Sequence, residues 1–184
     1  MHRHIVILAF AFVLSAAMVA AADAPKKAAA SPLVERGKYL VQIGSCNDCH
    51  TPWKMGPKGP EPDLSRMLMG HPQGVKLPAP ALPPGPWDTA TAGMTAWAGP
   101  WGISYAANLT PDKNTGIGSW SEAMFIEAIQ TGRHWGKGRP ILPPMPWQNW
   151  SQAKVEDLKA IFAYLQSIPA VANRVPDPAI KRAK

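Results

Sequence analysis

Cys46-Asn47-Asp48-Cys49-His50 holds the only two cysteines of the 184-residue chain and sets a histidine directly behind them. Two thiols two residues apart, followed by an imidazole, form the attachment signature of a c-type haem. The thiols add across the porphyrin's two vinyl groups, the intervening residues space the sulfurs, and the imidazole binds the iron from one side. No other string constrains the fold as strongly, because the chain must close around a large flat apolar group fixed at one point. Two other chemistries use such a pair. A thioredoxin-like dithiol belongs to a strand-helix-strand unit, which the flanking sequence does not resemble, and it does not require the following histidine. A structural zinc site needs four ligands; beyond residue 22 only two cysteines and three histidines (His50, His71 and His134) remain, with no second cluster. The reading is therefore one haem c, attached through Cys46 and Cys49, with His50 on the iron.

The amino terminus names the compartment in which such attachment takes place. Residues 1–4 carry Arg3 and two histidines, Ile5 to Val13 is almost wholly apolar, and Ala16 to Ala24 is a run of small residues. This is the pattern of a secretory signal peptide over 1–22, with a small-x-small cleavage site at Ala20-Ala21-Ala22. An uncleaved anchor is the alternative, since Ile5 to Ala22 is 18 residues, just long enough to span a bilayer. The expected location is periplasmic.

About 160 residues remain after the leader, enough for one domain in which the haem supplies much of the core. Removing 1–22 takes away Arg3 and no acid, which leaves 18 basic side chains against 12 acidic ones. A basic balance favours acidic protein partners, and nothing in it is patterned for nucleic acid.

Residues 23–30 read as a flexible tether without core residues. Ser31 and Pro32 then suit the N-cap and first position of a helix running to about Ile43, with Leu33, Gly37, Leu40 and Val41 on one face. Gly37 in that face permits close approach of another helix. Residues 52–104 hold 11 of the 21 prolines, 8 of the 15 glycines and 4 of the 8 tryptophans. The expectation there is an irregular but ordered loop, neither helix nor sheet, pinned around the haem pocket by Trp53, Trp87, Trp97 and Trp101. Ser121 caps a helix with a Met124, Phe125, Ala128, Ile129 stripe that ends at Thr131-Gly132. Ser151 is the expected cap of the last helix, where Val155, Leu158, Ile161, Phe162, Leu165 and Ile168 repeat until Pro169. Residues 172–184 read as an exposed tail.

A haem iron held by one histidine leaves its opposite position to be filled. Met145 stands in Leu142-Pro143-Pro144-Met145-Pro146-Trp147, where prolines on both sides hold the backbone extended and aim a thioether in one direction. Filling a gap in an apolar pocket is the other work a methionine does there. His71 and His134 are further candidates for the sixth ligand.

The order of capped helix, Cys-Asn-Asp-Cys-His, Ala107-Asn108-Leu109-Thr110-Pro111-Asp112, Thr115-Gly116-Ile117-Gly118-Ser119-Trp120, Met145-Pro146-Trp147 and a final helix closing on Pro169 resembles class I c-type cytochromes. Over residues 31–171 it is most similar to the single-haem domains repeated in the cytochrome subunits of bacterial membrane-bound alcohol and gluconate dehydrogenases. The resemblance implies an all-α cytochrome c fold with crossing first and last helices, Gly37 and Tyr39 lying near Tyr164 and Leu165. It also implies Met145 as the second axial ligand and a haem or propionate contact for Asn108, Trp120 and Arg133. The connection between His50 and Asn108 departs from the family in its length and its proline and tryptophan content, and one motif replaces the subunits' three.

The function expected on these grounds is electron transfer without catalysis, with His50 and Met145 remaining on the iron and protein donors and acceptors docking through acidic surfaces. Lys54, Lys58, Arg133, Lys137 and Arg139 are the expected steering cations. A fixed subunit of a membrane-associated dehydrogenase or oxidase is the alternative to a free carrier; a haem enzyme or gas sensor would need an exchangeable sixth ligand.

Overall fold

The computed structural model describes residues 31–80 and 87–180. The leader over 1–22 and the tether over 23–30 lie outside the described residues. Two helices carry the core. α1 (Pro32–Ile43) begins where Ser31 accepts a hydrogen bond from the Val34 amide, and it buries Gly37, Leu40 and Val41. Leu33, expected on the same face, stays half exposed. α5 (Val155–Ser167) crosses it and buries Leu158, Ala160, Ile161, Phe162 and Leu165. The crossing needs Gly37, where a Cβ would collide with the Ala160 carbonyl and stand 2.8 Å from Tyr164 Cβ. An Arg36–Asp157 ion pair at 3.0 Å closes the exposed edge. α3 (Glu122–Thr131) adds Phe125 and Ala128 to this core, with Ser121 as its cap and Gly132 in the left-handed conformation ending it. The Phe125 and Phe162 rings meet at 5.3 Å.

α5 starts later than its sequence suggests. Lys154 is its N-cap residue, while Ser151 ends a short helix, α4 (Trp147–Trp150). The Ser151 hydroxyl donates to the Gln148 carbonyl at 2.8 Å instead of capping. Glu156 and Asp157 in the first turn of α5 suit the positive end of its dipole.

The expectation of an all-α fold is wrong, because the chain also builds two antiparallel sheets. β1 (Trp53–Gly56) pairs with β2 (Gly59–Pro62), and β3 (Thr89–Ala90), β4 (Ala96–Gly99), β5 (Gly102–Tyr105) and β6 (Ala179–Ile180) form a four-stranded sheet in that order. Residues 53–62 and 89–105 are thus hairpins, whereas the stretch from 63 to 88 carries no strand among the described residues and only the single turn Leu64–Arg66. The physical reason lies in the prolines and glycines themselves. Frequent proline rules out helix, yet Gly56-Pro57-Lys58-Gly59 and Gly99-Pro100-Trp101-Gly102 each close a hairpin, with Gly59 and Gly102 at φ of 119° and 108°. Pro60 and Pro62 fall in β2, an edge strand with one partner, where a missing amide is tolerated. Trp53, Trp97 and Trp101 are half-buried, whereas Trp87 is exposed.

The segment after α5, expected as an exposed tail, returns to the body of the molecule: Asn173 is 2% exposed and β6 extends the larger sheet.

Candidate haem site

Ser45, at φ 54° and ψ 31°, turns the chain out of α1 into the single turn α2 (Cys46–His50). One turn separates Cys46 from Cys49, so both sulfurs leave the same side of α2 with His50 next in line. The turn is tied down residue by residue. Thr51 Oγ1 donates to Asn47 Oδ1 at 2.8 Å and accepts from the Leu68 amide at 2.8 Å. Trp53 Nε1 donates to the Asp48 carbonyl at 2.9 Å. The Gly70 amide donates to the His50 carbonyl at 2.8 Å, and Gly70 is a glycine because its φ is 76° and a Cβ would meet the Ala107 carbonyl.

His50 Nδ1 lies 2.8 Å from the Ala107 carbonyl oxygen. A carbonyl only accepts, so Nδ1 carries the proton and the lone pair sits on Nε2. Burial holds the ring's pKa below its ordinary value of 6.5, against the opposing pull of the Ala107 carbonyl. A neutral imidazole with a fixed tautomer is what an iron ligand requires. The thiols fit the same purpose. Burial pushes Cys46 up to about 11 and also raises Cys49. Such a pair lacks the stabilised thiolate that a dithiol redox couple uses. Among the described residues no group of three or more His, Cys, Asp or Glu side chains could hold a metal ion unaided, which disfavours the zinc reading. Both sulfurs remain free and half-buried, so the residues present fit a covalently attached haem.

Met145 is half-buried between α3 and α4, in a segment held at several points. Its amide donates to the Leu142 carbonyl at 3.3 Å, and its carbonyl accepts from the Trp147 amide at 2.9 Å. Ser104 Oγ, on β5, donates to the Pro143 carbonyl, so the larger sheet braces the methionine segment. Trp147 packs its indole where a side chain on Gly132 would stand. The other two candidate ligands pack among other side chains, and His71 Nε2 is buried without a hydrogen-bond partner among the described residues. His71 is 2% exposed, with Nδ1 3.0 Å from Thr95 Oγ1 and its ring 4.9 Å from that of Tyr105. The His134 ring sits between Trp120 at 5.4 Å and Trp135 at 4.9 Å.

Of the residues that the resemblance brings to the haem, Trp120 packs partly buried against the core and Arg133 donates to the Gly138 carbonyl at 3.0 Å. Asn108 is buried and positions Ala107 next to it: its Nδ2 donates to the Val171 carbonyl at 2.8 Å, and its Oδ1 accepts from the Thr110 amide and hydroxyl. Ala107 itself, Ser104 and Asn173 escape sequence reading. Ala107 acts through its backbone, and the other two matter through partners 39 to 104 residues away.

No protein-family model matches the chain. The gluconate 2-dehydrogenase cytochrome c subunit of Pantoea cypripedii is 31% identical over 146 residues, which are 79% of this chain and 25% of that protein. The cytochrome c subunit of the quinone alcohol dehydrogenase of Gluconacetobacter polyoxogenes is 28% identical over 151 residues, covering 82% of this chain and 25% of the relative. A nicotinate dehydrogenase subunit of Pseudomonas putida is 29% identical over 144 residues, 78% of this chain and 9% of its own length. The chain thus spans a quarter or less of these relatives. Over most of its length it is a cytochrome c haem domain similar to those of the dehydrogenase subunits.

Proposed function

We propose that this cytochrome c haem domain carries electrons with a single haem c, joined to Cys46 and Cys49 and held axially by His50 and Met145. The observation that carries the reading is the His50–Ala107 hydrogen bond, which leaves Nε2 as the free nitrogen of a histidine that shares one helical turn with both thiols. A haem bound there supplies one-electron chemistry at the iron. The chain's residues keep that site fixed. Ala107 sets the tautomer of His50, Gly70 anchors its backbone, and Thr51 locks the turn to Leu68. Ser104 and Trp147 hold the Met145 segment, and a Met145 thioether on the iron would favour the reduced state and block external ligands. That arrangement suits transfer and not catalysis.

The named relatives are subunits of dehydrogenases, which favours a dehydrogenase as the electron donor and a fixed subunit over a free carrier. The exported, periplasmic reading rests on the 1–22 pattern; no helix of the described residues is long and apolar enough to cross a membrane.

Absorption spectroscopy of the haem-loaded chain tests the ligand set. The ferric protein is expected to show the weak far-red band of thioether ligation. Met145→Ala should abolish it and open the ferrous iron to carbon monoxide. An unchanged spectrum would remove Met145 from the iron.

A further inference from the structure

The turn after α3 presents a tryptophan at a backbone conformation that tryptophan rarely adopts. Trp135 has φ 57° and ψ 21° and is 55% exposed. The left-handed region is costly for a bulky L-residue, so something must hold it there. The turn is closed by backbone hydrogen bonds from His134 to Arg139 at 2.9 Å, from Gly136 to Arg133 at 2.8 Å and from Gly138 to His134 at 2.7 Å. The indole is braced as well: its ring lies 4.9 Å from that of His134 at a 37° tilt, and the His134 ring meets Trp120, itself packed on the core, edge to face at 5.4 Å. An exposed indole fixed in this way loses little freedom on binding, which is the condition for a dominant contact in an interface.

Its surroundings define the partner. Arg133, Lys137 and Arg139 lie on the same turn, all exposed, and none forms an ion pair among the described residues. The nearby carboxylates are Glu127, beneath Gly136, and Asp177, which acts on Arg139 and His134 from a distance. The turn also adjoins the proposed site, since the Ile141 amide donates to the Gly132 carbonyl at 2.8 Å and Gly132 carries the indole of Trp147.

We propose that the 133–139 turn is the docking surface for an acidic protein redox partner, with Trp135 as the anchor that enters an apolar pocket of that partner. The proposal rests on the electron-transfer reading and adds the place where the partner sits. Lys137 and Arg139 steer the approach, and Trp135 sets how long the complex lasts.

The test uses the haem-loaded full chain and flavodoxin, an acidic one-electron donor, as the probe, with binding followed by calorimetry at low salt. Trp135→Ala and Trp135→Gly are each expected to weaken binding about tenfold or more, leaving the haem spectrum and the rate of reduction by ascorbate as in the unaltered chain. Glycine relieves the left-handed backbone, so Trp135→Gly should unfold no earlier than the parent, which separates lost docking from lost fold. Lys137→Glu with Arg139→Glu should flatten the salt dependence. Unaltered binding in both Trp135 variants would overturn the proposal, as would a concentration-dependent dimer that either variant abolishes. Binding that needs Trp135 but passes no electron to the iron would support the surface and count against the electron-transfer reading alone.

Discussion

Asp63 gathers four hydrogen bonds on one nearly buried carboxylate. Its Oδ1 accepts from Lys54 Nζ at 3.1 Å and from the Ser65 hydroxyl and amide at 2.7 and 3.3 Å, while Oδ2 accepts from Arg66 Nε at 2.9 Å. Its own amide donates to the Pro52 carbonyl at 2.8 Å, so the side chain ties β1 to the turn that leads into Leu68 and Gly70 beside His50. The bonds to Ser65, then Arg66 and Lys54, hold the carboxyl well below its ordinary 3.8. Because the folded value is the lower one, the stabilisation is complete above the unfolded value and is lost as pH falls from about 4 towards the folded one. Asp63→Asn should be less stable than the parent at neutral pH, and the gap should close in acid. Urea titrations from about pH 6 to pH 2 check this, and two parallel stability curves would show that Asp63 carries no such linkage.

At the scale of elements, the α1–α5 crossing depends on one missing side chain. Gly37→Ala would gain about 1 kcal/mol of helix propensity, but the added methyl has no room against the backbone of Ala160 and forces the helices apart. Overpacking at a backbone contact costs about 3 kcal/mol, so a net loss of about 2 kcal/mol in chemical denaturation is expected, and a gain would show that the contact is loose. The helix α1 was legible in the sequence for a local reason, whereas its crossing with the last helix came only from the resemblance to class I cytochromes. A serine cap, a proline at the first position and apolar residues at three- and four-residue steps all lie within one helix length, and the cap and the apolar steps recur around Ser121. The hairpins were not legible, because Trp53↔Pro62 and Ala96↔Tyr105 pair across turns whose glycines and prolines are equally the marks of a loop. The start of α5 was misplaced for a related reason: Ser151 has the chemistry of a cap, but the Trp147–Trp150 turn claims it first. Within the site, Cys46, Cys49 and His50 stand in one motif, whereas the carbonyl that orients His50 belongs to Ala107, a residue whose type carries no signal.

Across the whole molecule, one residue joins stretches that are far apart in sequence. Asn173, beyond the last helix, donates through Nδ2 to the Met69 and His71 carbonyls at 2.6 and 2.9 Å and accepts the Gln73 amide at 2.9 Å. Its own amide donates to Thr115 Oγ1 at 3.0 Å, and its carbonyl accepts from Asn108 Nδ2 at 3.3 Å. The segment it grips is bonded to His50 through Gly70 and to the 106–109 stretch through His71 and Leu68. The carboxyl-terminal segment is therefore a clamp that holds the sheet-bearing insertion against the Cys46–His50 turn. Asn173→Ala would leave two buried carbonyls and an amide unpaired, each costing about 1–3 kcal/mol, although the amides and carbonyls nearest the surface can recover part of this from water. A loss of about 3 kcal/mol in chemical denaturation is the expected result. Amide exchange should locate it: protection should fall over 68–73 and 106–110 and remain in α1 and α5, because the crossing of those helices does not involve Asn173. A uniform loss of protection would mean that insertion and helices unfold as one unit, and an unchanged pattern would mean that the insertion is held by its strands alone.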